Sequence, residues 1–567
     1  MEQYIIYGGL IVLIFAVLIY QAVKSSKDRK RRLLEKIRRQ YGAYSDKEYE
    51  YDDFLSISHY FERKNKNRDD IFTIDDITWN DLDMDHVFLA MNNTQSSVGQ
   101  DYLYDMLRRP CFDQKVLRER NRLAEFFAAH QQERENCQML LSNVGYTRKV
   151  SIMDFIDEIG AQKRESNLPH YLCILLIVIS IVLIAFRADL GVVLLIFSLV
   201  YNVAAYLKAK GKVESYFMCI AAIVRLIQCS EQLQTINCKE LSDYTERLRK
   251  SSASVRSVKQ DAVFIGSPDK VDGGLGQTLL DYIRMVFHLD LICYNNALQK
   301  IQPHMAEVMA MWETIGQLEA GIAIASFRAA VPFYCKPEFI SQNNIQMKNG
   351  YHPLITNPVA NTIEEYKPVL ITGSNASGKS TFLKMTAINA ILAQTVDTVL
   401  AQEYRAPMYR IYSSMALSDN LSAKESYYMV EIKSLKRILD AAKDRNTKVL
   451  CFVDEVLRGT NTVERIAASA KVLQKLSSEQ VMCFAATHDI ELTQLLEKDF
   501  ANYHFTEEII EDDIHFSYRI HKGRATSRNA IRLLGIMGYD EQVIREAEET
   551  ARNFLESGEW KMASFSR

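Results

Sequence analysis

The sequence has almost no net charge. Of its 567 residues, 68 are Lys or Arg and 71 are Asp or Glu, so nothing draws the whole chain to a polyanion. Only a local basic patch could do that. It also lacks any C-x-x-C pair. Its ten cysteines are scattered from Cys111 to Cys483. This leaves no zinc motif and no disulfide framework, and it fits a reducing compartment with mostly small, buried apolar thiols. There is no global hydrophobic excess either. The 48% hydrophobic content is ordinary for a globular protein, so any membrane signal must be local. The length allows two to four domains, each with its own core.

What the chain does have is three apolar runs. Tyr4 to Val23 contains no charged residue in 20 positions. At about 1.5 Å per residue such a helix spans about 30 Å, a bilayer's hydrocarbon core. A cleaved signal peptide would want basic residues before the run. Here Glu2 precedes it and the basic stretch "KSSKDRKRRLLEKIRR" follows. This reads as an anchor with its N-terminus outside and Lys24 onward in the cytosol, near anionic headgroups. Two further runs, Tyr171–Phe186 and Leu190–Leu207, flank a short "RAD" turn. The bland alternative is a buried hairpin, but neither arm keeps a polar face. Lys163 and Arg164 before the hairpin, and Lys208, Lys210 and Lys212 after it, put both ends on the cytosolic side.

The rest divides by texture. Residues 40–169 and 210–330 carry helical spacing of apolar residues. From Tyr334 onward, short runs such as "KPVLITG", "KVLCFVDE" and "QVMCFAATH" alternate with helical stretches. That is the pattern of an α/β domain with a largely parallel sheet.

The chemistry lies in this last part. Gly373, Ser374, Asn375, Ala376, Ser377, Gly378, Lys379 and Ser380 fit G-x-x-x-x-G-K-[ST], followed by Thr381. The glycines let backbone N–H groups turn around a phosphate, Lys379 adds a positive charge, and the Ser380 hydroxyl suits Mg²⁺. The run "VLCFVDE" ends in Asp454 and Glu455, 75 residues after Lys379. The first acid suits a metal; the second suits orienting the attacking water. "FAATH" ends in His488, where a γ-phosphate sensor would sit, although a lone histidine is more often structural.

The strings "TGSNASGKSTFLKMTAINAILAQ", "DNLSAKESYYMVEI", "VLCFVDEVLRGTNTVER" and "ATHDIELTQL" resemble the ATPase domain of the MutS family of DNA mismatch repair proteins. "YCKPEF" and "GYHPLI" resemble segments just before that domain, and "NNTQSSVGQDYLYDMLRRP" resembles the start of the family's core and lever helices. The resemblance implies ATP and Mg²⁺ as ligands. Lys379 and Ser380 would bind phosphate and magnesium, Asp454 would hold the metal, Glu455 would activate water, and His488 would sense the γ-phosphate. Ser426 would reach the nucleotide of a second subunit, in a homodimer with the "RGTNT" loop, Arg458 to Thr462, at its interface.

The sequence also departs from the family. The signature loop reads Lys424-Glu425-Ser426 where the family has G-R-S, and Ser527-Arg528-Asn529 replaces S-Y-G. The family's mismatch-reading wedge is expected to be missing, with no room between the expected anchor at 4–23 and core helices starting near residue 80, and so is its DNA clamp, the hydrophobic hairpin standing at the lever helices instead.

The expected architecture is multidomain. It comprises an anchor (1–23), a basic juxtamembrane linker (24–79), an all-α core and lever region (80–333) holding the hairpin 171–207, an ABC-type P-loop ATPase domain (334–545) and a tail (546–567). The expected function is an ATP-gated dimer that binds mismatched or branched DNA, in the cell membrane, multi-pass, with its ATPase domain in the cytoplasm. It would meet lipid through 4–23 and 171–207. The alternatives are a membrane mechanochemical ATPase with no DNA substrate and, ranked last, a transporter component.

Overall fold

A computed structural model describes residues 2–66, 71–147, 151–162, 165–258, 275–374, 377–415, 427–457, 460–510, 513–525, 531, 534, 538–558 and 560. The chain forms two compact units. The first comprises residues 1–70, 91–106 and 120–330, and the second 71–90, 107–119 and 331–567. Along the chain the last change of unit falls between Ala330 and Val331. The short segments 71–90 and 107–119 belong with the C-terminal α/β unit.

The first unit is helical. Its central helix, Met305–Ala330, is buried at nearly every position from Thr314 to Arg328. Small residues in "AGIAIASFRAA" let neighbouring helices approach it closely. The apolar run Tyr4–Val23 lies within the helix Glu2–Gln40. The last turns of that helix dock on the body, through buried Ile37 and a paired Arg38–Glu135 contact with both bonds at 2.9 Å.

The two later apolar runs form a helical hairpin. Leu168–Phe186 and Ala188–Leu233 are joined at Arg187. The second helix has 46 residues and runs from the apolar arm into the core, where Cys219 to Val224 are buried. The arms are long and apolar enough to cross a membrane, yet only 17% and 22% of their most apolar windows are buried. Phe186, Val193, Ile196, Phe197 and Val200 all face outward. Polar residues go inward instead: Ser180, Ser198 and Asn202 are fully buried.

The second unit holds two sheets. The larger has six strands in the order β10-β9-β4-β8-β7-β6. These are β4 (Val369–Thr372), β6 (Arg410–Ser414), β7 (Val449–Asp454), β8 (Val481–Thr487), β9 (Ala501–Ile510) and β10 (Asp513–Lys522). All neighbours are parallel except the edge strand β10. β4, β7 and β8 are buried along their whole length, as expected when helices cover both faces of a parallel sheet. Phe452 and Phe484 stack on one face near Phe382 of the helix Lys379–Val396. On the other face Leu435, Ile438, Leu473 and Leu476 pack over Val449, Cys451 and Val481. The smaller sheet has the order β1-β5-β2-β3 (Glu338–Phe339, Glu403–Ala406, Ile345–Gly350 and Asn361–Glu365).

The segment 71–90 joins this unit because it caps an edge. The Asp81 carboxylate, buried beside β6, accepts bonds from Ser413 Oγ at 2.6 Å and Met415 N at 2.9 Å. Thr78 Oγ1 accepts another from Ser413 N at 3.0 Å. A covered edge cannot recruit a foreign strand.

Candidate nucleotide site

β4, β7 and β8 are adjacent and parallel, so their C-terminal ends meet in one place. In open α/β sheets this is where ligands bind. β4 runs into Gly373 and on to Gly378, which caps the helix Lys379–Val396. Both glycines have positive φ, +151° and +107°. A Cβ on Gly373 would fall 2.9 Å from Ser377 Oγ and 3.2 Å from the Phe505 carbonyl, so only glycine fits. The helix start adds its N-terminal dipole to the same spot. Asn375 and Ala376 lie outside the described residues.

The side chains converge on the loop. Lys379 is nearly buried, and its ammonium donates to the carbonyls of Gly373 and Ser374, both at 2.8 Å. Ser374 also touches Glu507. The Ser380 hydroxyl donates to Asp454 at the end of β7, while Thr381 is exposed beside it. His488, just after β8, lies 3.3 Å from Lys379 Nζ. Its Nε2 is 2.7 Å from Glu455 Oε1. A carboxylate only accepts and an ammonium only donates, so Nε2 bonds Glu455 when it carries a proton and Lys379 when it does not. The structure thus brings together Lys379, Ser380, Asp454, Glu455 and His488. Ser426, with Lys424 and Glu425, falls outside the described residues, as do Arg458 and Ser527 to Asn529.

Features that pattern reading missed hold this array. Glu455 and Leu457 both adopt left-handed backbone, φ +57° and +59°. Such residues cost about 1 kcal/mol each and persist only when their surroundings over-determine them. Here Glu455 N donates to the Ala486 carbonyl at 2.9 Å, and Leu457 N donates to the buried carboxylate of Glu431. Glu431 stands inside the quoted string "SYYMVEI", but nothing in its spacing marks that role. Arg465 holds Asp489, next to His488, with bonds of 2.7 and 3.0 Å. The hydrogen bond to that carboxylate raises the Arg465 guanidinium above its ordinary value. Tyr518 is a third example. It sits at a bulge in β10 with φ +52°, bracketed by Asn361, which bonds the Tyr518 carbonyl at 3.0 Å and Ile520 N at 2.9 Å. Its ring lies 3.3 Å from where a Gly378 Cβ would be, and it is 46% exposed.

Residues 369–555 match the family model described as MutS domain V. This part of the chain is similar to MutS domain V. In the MutS family domain V is the ATPase domain, and the family's ATPases generally use ATP with Mg²⁺. The residues of the site fit both. Ser377 Oγ is buried with no hydrogen-bond partner among the described residues, beside a loop kept open by glycine. A carboxylate and a hydroxyl in contact, Asp454 and Ser380, are hard oxygen donors of the kind Mg²⁺ takes alongside phosphate.

Proposed function

We propose that this MutS-family chain hydrolyses Mg-ATP at the ends of β4, β7 and β8, as a homodimer whose two nucleotide sites are each completed by the other copy. The observation that carries the reading is the convergence of Lys379, Asp454, Glu455 and His488 on the glycine loop. The loop amides and Lys379 bind the phosphates. Asp454 and Ser380 would hold magnesium, which supplies positive charge to those phosphates. Glu455 takes the proton from the attacking water as the outer anhydride bond breaks, and His488 fixes that carboxylate while facing the leaving phosphate. Ser426 of the second copy closes the site. The exposed ring of Tyr518 covers its rim and contacts the nucleotide beyond the phosphates.

The family's typical action as a DNA-binding dimer favours duplex or branched DNA as the target. The hairpin 171–207 and the run 4–23 hold the chain in the cell membrane with the ATPase unit on the cytoplasmic side. One observation favours a second reading, an ATPase that works on a membrane partner and not on DNA. The hairpin turns its apolar side chains outward, and its second helix continues without a break into the helical core. A transporter ranks last, since the described residues hold two candidate spans and no evident solute path.

Full-length protein in nanodiscs separates the readings. The DNA reading expects Mg-dependent ATP hydrolysis, and binding of branched duplex that weakens steeply with salt. Hydrolysis with no duplex bound at low salt would leave the membrane-partner reading. No hydrolysis at all would remove both.

A further inference from the structure

The base of the hairpin carries two histidines that no nucleotide chemistry uses. His170 opens the first arm, and His288 is the single residue between the helices Leu275–Phe287 and Leu289–Ile301. Their Nδ1 atoms are 2.9 Å apart. His288 Nε2 is 2.9 Å from the backbone carbonyl of Asn202 on the second arm. A carbonyl only accepts, so His288 Nε2 carries a proton. One proton, and only one, can then lie between the two Nδ1 atoms. The pair holds together when His170 donates to a neutral His288, or when a charged His288 donates to a neutral His170. With both rings charged, two N–H groups face each other at hydrogen-bond distance and the contact must break.

We propose that His170 and His288 form a one-proton site that locks the hairpin to the helical body, and that binding of a second proton opens this joint. Three helices meet at the pair. Asn202 Nδ2 also donates to the Cys173 carbonyl on the first arm at 3.0 Å and to Val286 at 3.2 Å. Its Oδ1 is buried without a partner among the described residues, so the joint is short of donors. His288 is buried, and its φ of +53° is left-handed, a strained conformation held by these contacts.

The charged groups around the pair are few. Asp290 accepts from Tyr206 OH at 2.6 Å and from Leu291 N at 2.9 Å, and Lys210 bonds Tyr206 at 2.8 Å. Glu165 lies beyond His170, and Asp281 and Arg284 pair with each other at 2.9 Å on the neighbouring helix. Burial lowers the His288 imidazole from its ordinary value, against the opposing pull of the Asn202 carbonyl and Asp290. The open joint therefore binds one more proton than the closed one, so a fall in pH favours opening. The inference uses only contacts within the helical unit and does not depend on ATP chemistry.

Hydrogen exchange of the full-length chain in nanodiscs tests it. After correction for intrinsic rates, amide protection in residues 283–292 should fall about tenfold between pH 7.5 and 5.5. The central helix Met305–Ala330 serves as the control for global unfolding. His170→Gln, which can donate to His288 but takes up no proton, should abolish the fall. Asp290→Asn, which removes the nearby carboxylate, should move the midpoint to lower pH. Protection that does not change with pH in the unaltered chain would overturn the proposal, as would an undiminished fall in His170→Gln.

Discussion

The α/β unit and the hairpin are built inside out relative to each other. In the α/β unit, apolar β4, β7 and β8 are buried throughout and polar groups gather at one end of the sheet. In the hairpin, leucine, valine and phenylalanine face outward while Ser180, Ser198 and Asn202 are buried. Polar side chains that leave the surface donate to partners, as Ser180, Ser198 and Asn202 do to backbone carbonyls. Both regions contain apolar runs, short in the sheet and long in the hairpin, but run length does not say which way the side chains face. Burial does.

The largest expected effect lies at the polar end of the sheet. Lys379→Ala removes two or more charge-assisted bonds to phosphate and should weaken ATP binding by about a thousandfold, measured by calorimetry. The matching test in the hairpin is Phe197→Arg, at a 61% exposed position near the middle of the second arm. If that face meets hydrocarbon, the change costs about 3 kcal/mol and cuts membrane insertion about a hundredfold, read by fractionation. If that face meets water, the fractions will not change, and the contrast between the two regions fails.

Tyr518→Ala should weaken nucleotide binding only about fivefold, from lost ring contact, with kcat nearly unchanged. A further effect concerns the helical core. Glu319 is buried there, accepting bonds from Gln95 N and Ser96 N, and burial lifts its carboxyl from 4.5 to about 7. The folded chain keeps that proton where the unfolded chain loses it. The contribution to stability is thus full below about pH 4.5 and is lost as pH rises through about 7. Lys47, pulled down to about 7 by burial, acts oppositely: its contribution is full above 10.5 and is lost as pH falls toward 7. Glu319→Gln should flatten the acid arm of the core's stability profile and leave the alkaline arm, followed by exchange of Met305–Ala330.

The α/β unit was legible where its motifs are local. The glycine loop, the acids ending β7 and the histidine after β8 are short strings with fixed spacing, and the fold sets them side by side. The hairpin was legible from length and hydropathy. The expected boundary near residue 80 could not show that Asp81 reaches β6, because that contact joins residues more than 300 positions apart. Glu431, Arg465 and Tyr518 were invisible for the same reason. Each acts on the site through a backbone turn or an ion pair that only tertiary packing creates. The His170–His288 pair likewise requires three helices to meet.

The measurement that bears most directly on the account is single-turnover hydrolysis of Mg-ATP by full-length Glu455→Gln, with its oligomeric state recorded in the same sample. Retained ATP, cleavage slowed by about two to four orders of magnitude and accumulation of a dimer are the expected result. Cleavage at the rate of the unaltered chain, or bound ATP on a chain that stays monomeric, would contradict it.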